Sequence, residues 1–281
     1  MRADCHMHMI LDGYEWKSAI ARHKEKPDEA FIRRILQIYK DLGYTYLRDG
    51  GDRWDAGKRS RQIATEYGIT YRTPLAPLCK EGHYGAFIGL TWQTFEEYRD
   101  LVVQHRNNGA DFIKIMISGL MDFDRFGILT EEGLTREEIR VLIDIVHQQG
   151  LSVMVHGNGI TALYAAQAGV DSVEHGAYLS GEALCAMKEA GTVWVPTLST
   201  VGNLRGQGRF REDAVQQILA GAADNVRKFA AMGGLLAPGT DAGAWAVPHG
   251  TDSEYRLFQD ILGPQYLHIL EPGTRRLQEK F

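Results

Sequence analysis

Several things are missing from this 281-residue chain, and each absence removes a class of reading. Cysteine occurs three times, at Cys5, Cys79 and Cys185. These are scattered, with no CxxC pair and no even framework, which speaks against a disulfide scaffold and suits a reducing cytosol. No apolar run reaches membrane-spanning length, and the N-terminus lacks the charged-then-apolar pattern of a signal peptide. One-sided charge is absent too: the formal net charge of -5 leaves no basic footprint for nucleic acid. There is no G-x-S-x-G nucleophile elbow, and no glycine-rich phosphate turn follows the first strand-like run. Low-complexity tracts, internal repeats and composition shifts are also missing, so residues 1–281 read as one domain of a soluble, cytoplasmic protein.

What is present is a rhythm. Strand-like runs at 3–11, 44–47, 69–75, 112–117, 151–155, 170–173, 192–195 and 235–237 alternate with amphipathic stretches such as 29–42, 95–107 and 136–149. Within the first of these, Phe31, Ile35, Ile38 and Tyr39 fall in helical phase and belong to the core. Glycine follows helix after helix, at Gly43, Gly68, Gly109, Gly150, Gly169, Gly191 and Gly233, where it supplies the left-handed cap. Eight strands with this punctuation predict an α/β fold of the (β/α)8 (TIM) barrel type. A doubly wound open sheet has the same local rhythm but usually carries the phosphate turn missing here.

Polar residues then stand out where strands should be apolar. Lys114 lies inside Phe112-Ile113-Lys114-Ile115-Met116-Ile117. One such lysine is most simply a strand-end residue snorkelling to water, but its company is unusual. His6 and His8 are two apart on the first strand and share a face. His156 ends the fifth strand, Glu174-His175-Gly176 the sixth, and Gly239-Thr240-Asp241 the eighth. Barrels place their active sites at the C-terminal ends of strands, and imidazole with carboxylate suits a borderline divalent ion such as zinc.

In order, the segments HMH, TYLRDGGD, EGHYG, DFIKIMISG, VMVHGNG, SVEHGAYLS, VWVPTLS and GTDAG resemble the amidohydrolase superfamily of metal-dependent hydrolases, in its imidazolonepropionase-like and prolidase-like branch. That resemblance implies a binuclear centre. His6, His8 and Asp241 would hold one metal and His156 and His175 the other, with Lys114 carboxylated by carbon dioxide to bridge them. Zinc is the first expectation; manganese, iron or cobalt are alternatives. The resemblance further implies hydrolysis of an amide bond in a small molecule, a dipeptide or N-acyl amino acid, with Asp241 as proton shuttle. A lactonase or phosphotriester hydrolase on the same site and a non-catalytic metal-binding barrel are the competing readings. Around the mouth, His83 is a candidate to polarise the carbonyl or hold a substrate carboxylate, and Tyr178 a candidate oxyanion donor. His249 lies in the last loop, Arg48 and Asp49 read as a structural pair, and Arg205, Arg209 and Arg211 read as a solvated face able to meet an anion. A homo-oligomer is compatible with all of this. Most of that branch carries a small β-sandwich; so little chain precedes His6 or follows the barrel that the expectation is a barrel lacking this accessory domain.

Overall fold

Helix signals in the sequence become helices with identifiable caps. The computed structural model describes residues 2–281. In order the elements are β1 (Arg2–Met7), α1 (Trp16–Ala21), α2 (Glu29–Asp41), β2 (Tyr44–Asp49), α3 (Ala56–Ala64), β3 (Thr70–Arg72), β4 (Leu78–Lys80), β5 (Leu90–Trp92), α4 (Phe95–Asn107) and β6 (Ile113–Met116). There follow α5 (Arg136–Gln148), β7 (Val153–Gly157), α6 (Ile160–Gln167), β8 (Ser172–His175), α7 (Gly181–Ala190), β9 (Val193–Val195), α8 (Ser199–Gly202), α9 (Glu212–Ala231), β10 (Leu235–Leu236), α10 (Ser253–Leu262) and α11 (Tyr266–Lys280). Asp28 caps α2 by accepting from the Phe31 amide, and α4 and α5 each open with a capping box, Thr94 with Glu97 and Thr135 with Glu138. The α2 residues Phe31, Ile32, Ile35, Leu36 and Tyr39 are buried. No helix among the described residues is long and apolar enough to cross a membrane.

Every strand pairing is parallel. The strands form two sheets, β1-β2-β3 and β10-β9-β8-β7-β6-β4-β5. All eight expected strand positions are occupied, but the ladder is interrupted rather than a single closed ring. The interruption has a local cause. Pro74 and Pro77 bracket a segment in which Leu75 takes φ +66°, and proline cannot donate to a ladder. The third strand therefore splits: β3 pairs with β2, while β4 resumes beyond the prolines and pairs with β6. Across that gap the Asp111 amide donates to the Thr73 carbonyl at 3.0 Å. On the opposite side, Cys5 N donates to Pro238 O (2.8 Å), Asp241 N to His6 O (2.7 Å) and His8 N to Ala242 O (2.7 Å).

Alternation along the strands sorts side chains into two layers. Ile113, Ile115, Val153, Val155, Val173 and Trp194 pack outward with Leu142, Val146, Leu163 and Phe229 of the helices. The intervening residues turn inward. Ala3, Cys5 and Tyr46 of one sheet meet Phe112, Met154, Val193, Val195 and Ala237 of the other in one interior cluster. The foot of this interior is closed by α11. A Cβ on its Gly273 would sit 2.2 Å from the Leu236 carbonyl oxygen, so the helix can lie against β10 only with glycine there. Leu277 and Phe281 extend the interior cluster; the Phe281 ring meets Phe112 edge-on at 5.0 Å and lies 4.6 Å below the Arg48 guanidinium.

Candidate metal centre

At the other end of the interior, where the strands finish, the chain leaves the sheet abruptly. His175 ends β8 with φ +67°, Thr197 follows β9 with φ +47°, and Asp241 follows β10 with φ +56°. Left-handed backbone is uncommon for residues with a Cβ, and such strain concentrates at functional sites. Here it turns three consecutive strand ends toward one point.

His6, His175 and Asp241 each bring a ligand-capable atom to that point, all within 4.8 Å of one another. Asp241 Oδ1 lies 3.4 Å from both His6 Nε2 and His8 Nε2, and Oδ2 lies 3.9 Å from His175 Nδ1. Lys114 Nζ is 3.3 Å from His6 Nε2. The His156 ring stands 4.5 Å from that of His175, with its Nε2 turned 3.2 Å from the Gly119 carbonyl. All six residues expected as ligands thus converge; three form the tight group, while His8, His156 and Lys114 border it. The His8 ring lies flat on Gly50, where a Cβ would come within 2.1 Å of Cε1.

Burial sets the electrostatics. It holds His8 and His175 well below the usual imidazole range and His156 down at about 3, with the Lys114 charge and neighbouring imidazoles adding to the effect. These rings are therefore neutral, with lone pairs available, at physiological pH. Burial also lowers the Lys114 amine to about 8, against the opposing pull of Asp241, Glu174 and Asp49. A cluster of neutral imidazoles and one carboxylate fits a borderline divalent cation. Two further observations agree: His8 Nδ1 is buried with no hydrogen-bond partner, and the tautomer of His6 is set for ligation.

That tautomer is enforced from below. His6 Nδ1 lies 2.7 Å from Glu174 Oε2. Glu174 is fully buried; burial raises its affinity for a proton, but the Arg48 charge and the hydrogen bonds from His6 and Ser172 together outweigh this and leave it below the usual carboxylate range. An ionised carboxylate only accepts, so Nδ1 carries the proton and Nε2 presents its lone pair to the site. Arg48 completes the chain: it donates to Glu174 Oε1 (2.8 Å), Ser172 Oγ (3.0 Å) and Cys5 O (2.7 Å). Arg48 thus pairs with Glu174, whereas its neighbour Asp49 accepts separately from the Met9 amide and Thr73 Oγ1.

The remaining candidates fall in different places. His83 lies on the half-buried loop after β4, its Nδ1 3.6 Å from Glu131 Oε1. It is the next residue, Tyr84, that faces the centre, with its ring 4.9 Å from His156. Tyr178 follows β8 and packs edge-on against Phe126 at 5.4 Å. His249 is half-buried and doubly engaged, Nε2 with the Leu11 carbonyl (2.9 Å) and Nδ1 with Tyr39 Oη (3.3 Å), so it ties the last loop to the loop after β1 and to α2. Arg205 donates to Gly202 O, Arg209 covers the Trp245 ring at 4.1 Å, and Arg211 pairs with Asp213. Glu174 and Tyr84, which sequence reasoning left without roles, are the additions at the site. So is Asn158, which donates to Gly119 O beside His156.

No family model matches this sequence. Among curated proteins it is similar to an ochratoxinase of Aspergillus niger, 26% identical over 279 residues, covering 85% of this chain and 56% of the relative. The chain therefore spans little more than half the length of that protein. An uncharacterised protein of Mycobacterium bovis is 33% identical over 119 residues, 40% of this chain and 32% of the relative. Solved structures agree on the fold. The A. niger ochratoxinase superposes with TM-score 0.78 at 20% identity, covering 99% of this chain and 70% of that one. A Xaa-Pro dipeptidase with methionine bound in its active site gives 0.76 at 22%, covering 99% and 75%. The structural neighbours are amidohydrolase-type proteins, as the sequence motifs suggested.

Proposed function

We propose, on a fold shared with amidohydrolase-type proteins, that this chain is a metal-dependent amidohydrolase cleaving an amide bond in a small molecule. The observation that carries the reading is the convergence of His6, His8, Lys114, His156, His175 and Asp241 at the strand ends, with His6 locked by Glu174 into the ligating tautomer. The dipeptidase, prolidase and ochratoxinase names among the similar proteins favour an amide over a lactone or phosphotriester. We read the two sheets as one (β/α)8 barrel, interrupted at Pro74 and Pro77, and residues 1–281 as one domain of a cytosolic protein.

The six residues would hold two divalent ions, zinc first among the candidates, and those ions would supply an activated water and polarise the scissile carbonyl. The rest is the work of the chain. His6 is kept from rotating by Glu174 and Arg48, and His8 by its seat on Gly50. Lys114 is assigned the carbamate: a neutral Nζ attacks the carbon of carbon dioxide, loses one proton to solvent, and becomes an anionic oxygen donor. Asp241, between three imidazoles, takes the proton of the attacking water on a carboxylate oxygen and passes it to the leaving nitrogen. Tyr84, whose ring stands against His156, and Tyr178, which follows β8, are assigned to contact the substrate, with His83 on the neighbouring loop.

Metal analysis combined with a hydrolase panel tests the assignment. Protein loaded with zinc or manganese should carry close to two ions per chain and cleave a member of a dipeptide and N-acyl amino acid series. Turnover of lactones or phosphotriesters with no amide cleaved would refute it.

A further inference from the structure

A cavity of about 390 Å³ opens beside His175, within the size range of small-molecule sites. Its walls come from three places. Tyr178 and Leu179 follow β8, Leu198 and Val201 follow β9, and Ile218 and Ala222 come from α9. Over it stands Phe126, carried by a turn between β6 and α5 in which Asp122 N bonds Ile128 O and Thr130 N bonds Leu120 O. Phe126 is about half exposed although it touches Tyr178.

The charge of this lining is informative. No lysine or arginine is among the described residues that line it, and its one carboxylate, Asp224, is already paired with Lys228 at 2.6 Å. The three arginines nearby do not line it: Arg205 donates Nε to Gly202 O, Arg209 covers Trp245 and Arg211 pairs with Asp213. A carboxylate entering here would lose its hydration and find no cation, whereas an aromatic ring would replace water against apolar walls.

Resting on the amide-hydrolase reading of the adjacent ligands, we propose that this cavity is the specificity pocket for a bulky apolar group on the substrate, an aromatic ring or branched aliphatic chain. Its neighbour His175 belongs to the ligand cluster, so a group seated here lies next to the scissile bond. Any carboxylate on the substrate lies outside this cavity.

Two matched amide series test this, because the group can sit on either side of the scissile bond: acetylated amino acids bearing Phe, Leu, Gly or Asp side chains, and glycine acylated with phenylacetyl or acetyl. In one series kcat/KM should favour the phenyl or leucyl member over the glycyl or acetyl one by about 10–200-fold, as pocket filling commonly does, with the aspartyl member poorest. Calorimetry with 2-phenylethanol supplies a readout independent of turnover. Ala222→Phe, filling the cavity from α9, should abolish that binding and lower the bulky-to-small ratio at least tenfold with metal content unchanged. Should Ala222→Phe misfold, Ile218→Ala widens the same wall and should shift preference toward a naphthyl group. Amides cleaved without size preference, with no 2-phenylethanol bound, overturn the pocket and leave the hydrolase standing. No amide cleaved, with 2-phenylethanol bound and excluded by Ala222→Phe, overturns the hydrolase and leaves the apolar site.

Discussion

Replacing Glu174 by methionine should separate two quantities that one side chain now controls. The carboxylate is fully buried and serves Arg48, Ser172 and His6 at once, at 2.8, 2.7 and 2.7 Å. Its removal leaves a guanidinium with no exposed surface and no counter-charge, still bonded to the Cys5 carbonyl and the Ser172 hydroxyl and lying over the Phe281 ring. Breaking a buried ion pair from one side costs about 3–5 kcal/mol, because the survivor stays desolvated and uncompensated. Removing both charges in Arg48→Met with Glu174→Met relieves that penalty, and such apolar replacements are often neutral or better. Yet His6 Nδ1 still lacks its acceptor in the double variant, and losing a partner of this kind lowers metal affinity roughly 10–100-fold. Urea unfolding of metal-free protein should therefore show a large loss in the single variant and substantial recovery in the double one. Competition with a chromogenic chelator should show weakened zinc in both. Wild-type zinc affinity in the double variant, or a loss below about 1 kcal/mol in Glu174→Met, would refute the role assigned to this chain of contacts.

Three further outcomes follow from the same geometry. Lys114→Ala should lower metal content and activity together, and a short carboxylic acid in solution should restore part of both. Lys114→Arg should not substitute, since a guanidinium remains protonated and forms no carbamate; full two-metal occupancy in Lys114→Ala, read by elemental analysis, would reduce the lysine to a buried strand residue. Burial pushes the Glu254 carboxyl up to about 8 from its usual 4.5. The folded group keeps its proton where an unfolded one has lost it, so its contribution to stability is complete below about pH 4.5 and is lost as pH rises to about 8. Glu254→Gln keeps an acceptor for Ser199 N and Oγ and should flatten the decline of Tm between about pH 5 and 8; an unchanged pH dependence would contradict the assignment. His249→Gln should cost about 1–3 kcal/mol in unfolding experiments through its bonds to Leu11 and Tyr39. Its metal stoichiometry should stay that of the wild type, and a lowered stoichiometry would return His249 to the site.

Much of this arrangement could be read in advance. Strand positions were legible because short apolar runs end in glycine-capped returns, and the ligand candidates because imidazoles, a lysine and an aspartate interrupt those runs at their C-terminal ends. The missing pieces share a physical reason: they depend on backbone that deviates from the repeating pattern. Strict alternation would point Glu174 and His175 to opposite faces, and only the left-handed turn at His175 lets both serve one centre, Glu174 from beneath and His175 from the rim. The break at Pro74 and Pro77 hid β4, which reads as loop in a segment with two prolines. In EGHYG the histidine drew notice as the obvious titratable group, whereas the loop turns Tyr84 toward His156. Pro272 obscured α11, since a proline inside a helical pattern ordinarily ends it.

The division of the strands into two sheets has a consequence for motion. His6 belongs to the three-stranded sheet and His8 lies just past its first strand, Lys114, His156 and His175 belong to the seven-stranded one, and Asp241 follows β10. Near Asp241 the two are stitched by three backbone hydrogen bonds, two of them made by residues of the ligand cluster itself. A cation gripped from both sides would act as a clasp on this seam, and its departure would leave the strand ends free to part locally without global unfolding. Amide exchange at Cys5, His8 and Asp241 would then quicken on chelation far more than at Val153 or Val173, which lie within the continuous ladder. The protein would thus sense its own metal status as a local opening, placed where a replacement ion must enter.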